Sequence, residues 1–337
     1  MILEATAPSR IDLAGGTLDI HPLYLFEDGG ITVNVAVSVQ SKVTVTTRDD
    51  NRVHLVSVDT GATQDAATLA ELELGGPLDL IARLVRFYAP QVGLTVESHN
   101  DAPHGSGLGA SSSLLIATTG ALLKLTGREL DPMTMIQYSA DIEAQNVGVP
   151  TGRQDYYPAT FGGLNAIWFD VEGDRVEPLD VGEEFLKALE DRLVLSFTGD
   201  GRFSGTSNWN MLKMYIDDLG TTRGDLKAIK ATALAMRQAF LDRDLDRFAE
   251  LLDEEWQNRR RMAEGVSTPS LESMMAAARE AGALASRVCG AGGGGCMSTF
   301  VAPGTRDDVC SALAGAGAEC MGYSISRKGL EVRVLEP

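Results

Sequence analysis

A chain of 337 residues, 44% hydrophobic and 23% charged, is long enough for one large or two smaller domains and for a core that needs no covalent staples. A formal charge of −18 argues against a nucleic-acid or anionic-membrane face, yet leaves room for a local nest of backbone N–H groups that holds phosphate. Four cysteines without a CxxC pair, and four histidines at no ligand spacing to them, read as structural thiols of a reducing cytosol and not as a zinc site.

The opening MILEATAPSR lacks a basic segment followed by an apolar run, and no apolar stretch reaches membrane-spanning length, so a cytoplasmic protein is expected. Residues 2–6 and 10–14 read as short strands on either side of Pro8. Residues 31–38 and 42–47 alternate apolar and polar side chains as half-buried antiparallel strands do. A helix over 78–88, a strand over 93–98 and a helix over 112–126 follow, the last with the stripe Leu114, Ala117, Ala121 and Leu125. A helix over 131–147 and strands near 163–169 and 191–197 come next. From 205 to 283 the pattern is mostly helical, with starts at Thr222 or Asp225 and at Ser267 or Thr268 before Pro269. Residues 286–335 alternate short strands with a helix over 304–316. Strands first and helices later predict an α+β protein, with a weakly marked boundary near 190.

Three segments carry chemistry. Pro103-His104-Gly105-Ser106-Gly107-Leu108-Gly109-Ala110-Ser111-Ser112 leads into a helix. Its glycines give a bulky anion close access to the backbone, and the helix start offers free N–H groups with a partial positive charge. No Gly-Lys-Ser/Thr follows, so it is not a Walker A loop. The run from Gly290 to Gly295 holds five glycines in six positions, more than a hairpin needs, and points to close backbone approach to a ligand, with Gly292 and Gly293 at its centre. The stretch Ser9-Arg10-Ile11-Asp12-Leu13-Ala14-Gly15-Gly16-Thr17-Leu18-Asp19 joins a strand to a tight turn and sets a carboxylate just past it.

In this order and at these separations the three segments resemble the signature motifs of the GHMP kinases, the family of galactokinase, homoserine kinase and mevalonate kinase, from Ala7 to about Phe300. The resemblance implies a two-domain GHMP kinase fold: an N-terminal domain like ribosomal protein S5 domain 2 over 1–190 and a ferredoxin-like α/β domain over 191–337. It implies transfer of the γ-phosphate of ATP, with Mg²⁺, to a sugar hydroxyl. The residues from Pro103 and Gly105 to Ser112 form the ATP loop, with Ala110 where the family has its first serine. Ser111 and Glu143 match the magnesium ligands, Asp155 the residue that takes the acceptor's proton, and Arg10 a cation near the transferring phosphate. Asp19 matches the residue that bonds sugar hydroxyls, and His21, Arg153 and Arg202 complete the candidate acceptor site.

Within the family, Gly152-Arg153-Gln154-Asp155 and the late glycine run lean toward the heptose 7-phosphate kinases, hence toward the anomeric hydroxyl of a sugar or sugar phosphate. Their first motif reads Gly-Gly-Gly-Thr-Asp, whereas this chain has Gly15-Gly16-Thr17-Leu18-Asp19. Two arginines suit a phosphate already on the sugar, because guanidinium pairs with it bidentately. A fucokinase-like kinase of a neutral sugar, a non-catalytic sensor of ATP and sugar, and a decarboxylase of the same family are the competing readings. The expected partner is a small molecule, not a nucleic acid or a membrane, and the chain acts as a monomer or homodimer.

Overall fold

The computed structural model describes residues 1–199 and 204–337, with the side chains of 204–207 left aside; Arg202 therefore lies outside the described residues. The chain starts with β1 (Ile2–Ala14), α1 (Leu23–Phe26), β2 (Gly30–Arg48), β3 (Val53–Ser57), β4 (Thr63–Ala66), α2 (Asp79–Tyr88) and β5 (Gly93–Asn100). Next come α3 (Ala110–Thr126), α4 (Pro132–Val147), α5 (Tyr156–Phe161), β6 (Leu164–Asp170), β7 (Gly173–Pro178), α6 (Glu183–Arg192) and β8 (Leu193–Phe197). It ends with α7 (Ser204–Ile216), α8 (Thr222–Leu241), α9 (Leu245–Arg259), α10 (Pro269–Glu280), β9 (Ala283–Val288), β10 (Cys296–Val301), α11 (Arg306–Gly315), β11 (Glu319–Met321) and β12 (Glu331–Glu336).

The first sheet runs β12-β1-β2-β5-β3-β4, with β6 and β7 added along β2. β2 is long enough to serve three neighbours: β1 along its length, β6 against Gly30 to Val35, and β5 against Ser41 to Arg48. Pro8 does not break β1. The pairing slips between Pro8 and Ser9, and this bulge absorbs a residue that has no N–H to donate. The strand alternates buried and half-buried residues as far as Thr6 and is buried on both faces beyond it, as a strand enclosed by two layers must be.

The second sheet has the order β11-β8-β10-β9, all antiparallel, with the four helices α7 to α10 between β8 and β9 and α11 between β10 and β11. This is the ferredoxin-like arrangement with an enlarged first crossover. Two helix starts follow their chemistry. Asp131 accepts from the N–H groups of Met133 and Thr134 ahead of Pro132, and Thr268 accepts from Leu271 N–H ahead of Pro269.

Two features cross the division expected near residue 190. That position lies inside α6, and the last strand, β12, returns to pair with β1 in the first sheet. The return explains Gly120 on α3, where a Cβ would stand 2.8 Å from the Leu330 side chain.

α3 begins two residues before the expected 112, because Gly109 at φ +75° turns the chain straight into the helix. Its expected apolar stripe is also too narrow. Residues from Ser112 to Leu123 are buried on nearly every side, apart from half-buried Leu114, since α3 packs between the first sheet and the helices α2, α4 and α5. A helix so enclosed is a fixed platform, and its first turn opens on the cavity described next.

Candidate active site

One cavity of about 630 Å³ is lined by the loop from Pro103 to Gly109, the first turn of α3, the turn after β1, the end of α4 and the segment from Thr151 to Asp155. Gly105, Gly107 and Gly109 all adopt positive φ. A Cβ at Gly107 would stand 2.5 Å from Cys289 O, and one at Gly109 would stand 2.9 Å from the Asp155 side chain. Only glycine lets the loop pass between these neighbours. No side chain caps the start of α3. The N–H groups of its first turn and the positive end of its dipole therefore remain available to an anion in the cavity.

The late glycine run supports this loop from behind. Cys296 N–H donates to Ser106 O at 2.6 Å, and added Cβ atoms would stand 2.7 Å from Ser106 O at Gly295 and 3.0 Å from Gly107 O at Gly290. Backbone rests on backbone, which removes the need for any side chain there.

Arg10, only 3% exposed, projects from β1 and ties the loop to the carboxylates. Its N–H donates to Leu108 O at 3.0 Å, its Nη1 to Gly107 O at 2.6 Å, and its Nη2 lies 2.6 Å from Asp155 Oδ1. Asp155 precedes α5 and keeps 22% of its side chain open to the cavity. Burial pushes its carboxyl up to about 7; Arg10 opposes this, while Asp19, Glu143 and Asp12 add to it. Asp19 Oδ2 accepts Gln154 N–H at 3.0 Å, and burial raises its pKa above the usual carboxylate range. Glu143, buried at 7% exposure, accepts from Ser112 Oγ at 3.4 Å and from the Tyr156 hydroxyl.

Several expected site residues are placed elsewhere. Leu108 is fully buried in the core and anchors the loop through its backbone. Gly292 and Gly293 pack against Val266 and do not line the cavity: a Cβ at Gly292 would stand 2.7 Å from the Val266 side chain, and Gly293 N–H donates to Val266 O at 2.7 Å. Arg153 turns away from the cavity to Asp174 at 2.8 Å and the Tyr24 hydroxyl at 3.1 Å, with its guanidinium over the Tyr24 and Phe169 rings. His21 is exposed and contacts the Tyr24 hydroxyl at 3.2 Å. Ser111 lines the cavity, but the serine that contacts Glu143 is its neighbour Ser112.

Sequence reasoning missed a buried charge cluster behind the turn after β1. Asp12 and Arg287, both inaccessible, pair at 2.6 Å, with Glu255 3.7 Å from the same guanidinium. Burial works to raise Asp12, but Arg287, Arg259 and Arg10 together bring it below its usual value. Arg259 lines the cavity beside this cluster. The signal was present in the run Asn258-Arg259-Arg260-Arg261: the apolar stripe Phe248, Leu251, Leu252 continues at helical spacing through Glu255 to Asn258 and Arg259, so that of the three arginines Arg259 is the buried one.

Solved structures that share this architecture include a heptose phosphate kinase and a mevalonate kinase, phosphotransferases that act on a hydroxyl group. The family models described as GHMP kinases N terminal domain and GHMP kinases C terminal match residues 78–163 and 236–319. A D-glycero-alpha-D-manno-heptose 7-phosphate kinase of Campylobacter jejuni is 28% identical, with 98% of each chain covered. A mevalonate kinase of Thermococcus sibiricus is 30% identical over 72% of this chain and 70% of its own. Among solved structures, a D-glycero-D-manno-heptose 1-phosphate kinase of Bacteroides thetaiotaomicron superposes with a TM-score of 0.81 at 25% identity, covering 99% of this chain and all of the other. The chain belongs to the GHMP kinase family, and it has that family's two-domain fold. GHMP kinases take their phosphate from ATP. No helix among the described residues is long and apolar enough to cross a membrane.

Proposed function

We propose that this protein transfers the γ-phosphate of ATP to a hydroxyl of a phosphorylated sugar, the anomeric hydroxyl of a heptose 7-phosphate or a close analogue. The observation that carries this reading is a juxtaposition. The open first turn of α3 and the carboxylate of Asp155 face one cavity, so close that the missing Cβ of Gly109 is what separates them. Heptose phosphates are named for two relatives that match along the whole chain, which favours a phosphorylated sugar over a neutral one.

In the reaction the acceptor oxygen bonds to the γ-phosphorus in line with the departing oxygen. The bond from that phosphorus to the bridging oxygen breaks, its electron pair leaves with ADP, and the acceptor's proton passes to Asp155. Such catalysis is mostly positioning and charge stabilisation. The N–H groups of Ala110, Ser111 and Ser112 hold phosphate oxygens, and Arg10 faces the transferring group while keeping Asp155 from rising further. A positioned base of this kind contributes roughly 10²–10⁴-fold.

Magnesium suits the donors present, since Glu143 offers one buried carboxylate and Ser111 and Ser112 offer hydroxyls at the same end of the cavity, the kind of sparse oxygen set that Mg²⁺ shares with phosphates. Glu143 and Ser111 would hold it, and when bound it supplies positive charge against the phosphate oxygens.

The direct test is ADP release across a panel of free and phosphorylated sugars, followed by phosphorus NMR to locate the new phosphate. Turnover confined to neutral sugars or to mevalonate overturns this reading.

A further inference from the structure

The charges around the cavity are unbalanced. Asp19, Asp59, Asp79, Glu143 and Asp155 line it, whereas the lysines and arginines lining it among the described residues are Arg10 and Arg259 alone. Arg10 is engaged by Asp155 and Gly107 O. An acceptor that brings a phosphate of its own into this acidic space needs a second cation.

Arg259 is built for that role. It is 2% exposed and rises from the end of α9. Its Nη1 donates to Gly16 O and to Thr17 Oγ1, both at 3.1 Å, and its Nε to Gly290 O at 3.3 Å. All three acceptors are neutral. Among the described residues no carboxylate lies within the 4.0 Å of an ion pair, whereas Arg10, Arg153, Arg260, Arg261 and Arg287 each have one. A buried guanidinium with no carboxylate at ion-pair distance is costly, and three bonds fix this one as a preorganised fork whose Nη2 has no hydrogen-bond partner among the described residues. Burial draws its pKa below arginine's ordinary value in spite of Asp12 and Glu255, so a bound anion would relieve it. Gly16 makes the room: a Cβ there would stand 2.5 Å from Nη2. Arg259 also acts on Asp12 and Asp19, so its charge bears on the Asp19 side of the cavity.

We infer that Arg259 binds the phosphate already carried by the acceptor and so selects phosphorylated over free sugars. This rests on the phosphorylated acceptor proposed above, and the two can be separated by experiment. The probes are D-glycero-D-manno-heptose 7-phosphate, the free heptose and inorganic phosphate, offered to the full chain and to the variants Arg259→Gln and Arg259→Lys. Loss of a charge-assisted phosphate contact should raise KM for the heptose phosphate by about 10- to 100-fold in Arg259→Gln, with partial recovery in Arg259→Lys. The dissociation constant for MgATP, measured by calorimetry, should stay within about threefold.

A wild-type enzyme that does not prefer the heptose phosphate overturns the acceptor reading, and the inference with it. A wild-type preference that survives intact in Arg259→Gln overturns the inference alone. Lost MgATP affinity would assign Arg259 to the donor instead and likewise overturn it. Should Arg259→Gln fail to fold, inorganic phosphate decides: it should compete with the heptose phosphate in the wild type and at least severalfold less well in Arg259→Lys, and equal competition in both counts against Arg259.

Discussion

Arg10 Nη2 lies 2.6 Å from Asp155 Oδ1 while Nη1 of the same guanidinium holds Gly107 O at 2.6 Å. One buried arginine therefore sets both the phosphate loop and the carboxylate that faces it. It also tunes that carboxylate: burial lifts Asp155 to about 7, and Arg10 counters the rise. A proton acceptor at this value is partly ionised at neutral pH and returns its proton readily.

Asp155→Asn should fold, bind MgATP and lose at least ~100-fold in kcat. The wild-type pH profile should rise on an acid limb with a midpoint near 7, as Asp155 ionises, and the residual activity of the variant should lack that limb. Near-normal turnover would remove Asp155 from the base role and favour a mechanism without a base.

Gly109→Ala should damage both stability and turnover. The residue sits at φ +75°, and the new methyl would meet the Asp155 side chain at 2.9 Å. Strain of this kind costs about 1–3 kcal/mol, readable as a shift in urea midpoint. A kcat loss of ~10-fold or more should accompany it, since small displacements of a positioned group cost about that much. Unchanged kcat would mean that Asp155 need not stand where the structure puts it.

Much of this site was legible in the sequence because its chemistry is local. The glycines at 105, 107 and 109 and the helix behind them are contiguous, and Asp155 and Glu143 fall on motif positions. What local pattern could not give was direction. Arg153 lies next but one to Asp155 yet points to Asp174, because Gln154 N–H is drawn to Asp19 and this fixes which way the segment faces. Gly292 and Gly293 looked like ligand contacts, but the room they leave is taken by Val266, 26 residues earlier than Gly292 by the numbering. Arg259 is 243 positions from Gly16, which it holds, and no sequence window spans that distance. The expected second domain over 191–337 took in β12 for the same reason: its partner is the first strand of the chain.

Arg153→Met tests whether Arg153 serves the fold and not the acceptor. Removing the guanidinium breaks a pair at 2.8 Å with Asp174 and bonds to Tyr24 and Gln137. A partly buried carboxylate is left without its cation, and a loss of about 1–3 kcal/mol follows. KM for the acceptor should change less than ~3-fold, below about 0.7 kcal/mol. A tenfold rise in KM with stability unchanged would return Arg153 to the acceptor site.

Glu143→Gln should raise the Mg²⁺ concentration needed for half-maximal activity, because the amide replaces the buried carboxylate of the candidate metal site. Its bonds from Ser112 and Tyr156 involve oxygen acceptors that glutamine still offers, so the fold should survive. Titration of MgCl₂ at fixed ATP reads the effect, and an unmoved midpoint removes Glu143 from the metal site.

Glu255 gives a prediction that does not depend on the substrate. Its carboxyl is inaccessible, 3.7 Å from Arg287, and burial pushes it up to about 7 against an ordinary 4.5. Between these values the folded chain keeps the proton and the unfolded chain has lost it, so raising the pH favours unfolding. The stabilising contribution of protonated Glu255 is complete below about 4.5 and is lost as pH rises through 7. Glu255→Gln cannot lose a proton. Relative to wild type its unfolding free energy should climb across this window by up to about 3 kcal/mol and level off above it. Urea unfolding of both proteins at intervals from pH 5 to 8 measures the difference. A constant difference across that range would show that Glu255 is ionised in the fold, paired with Arg287 throughout.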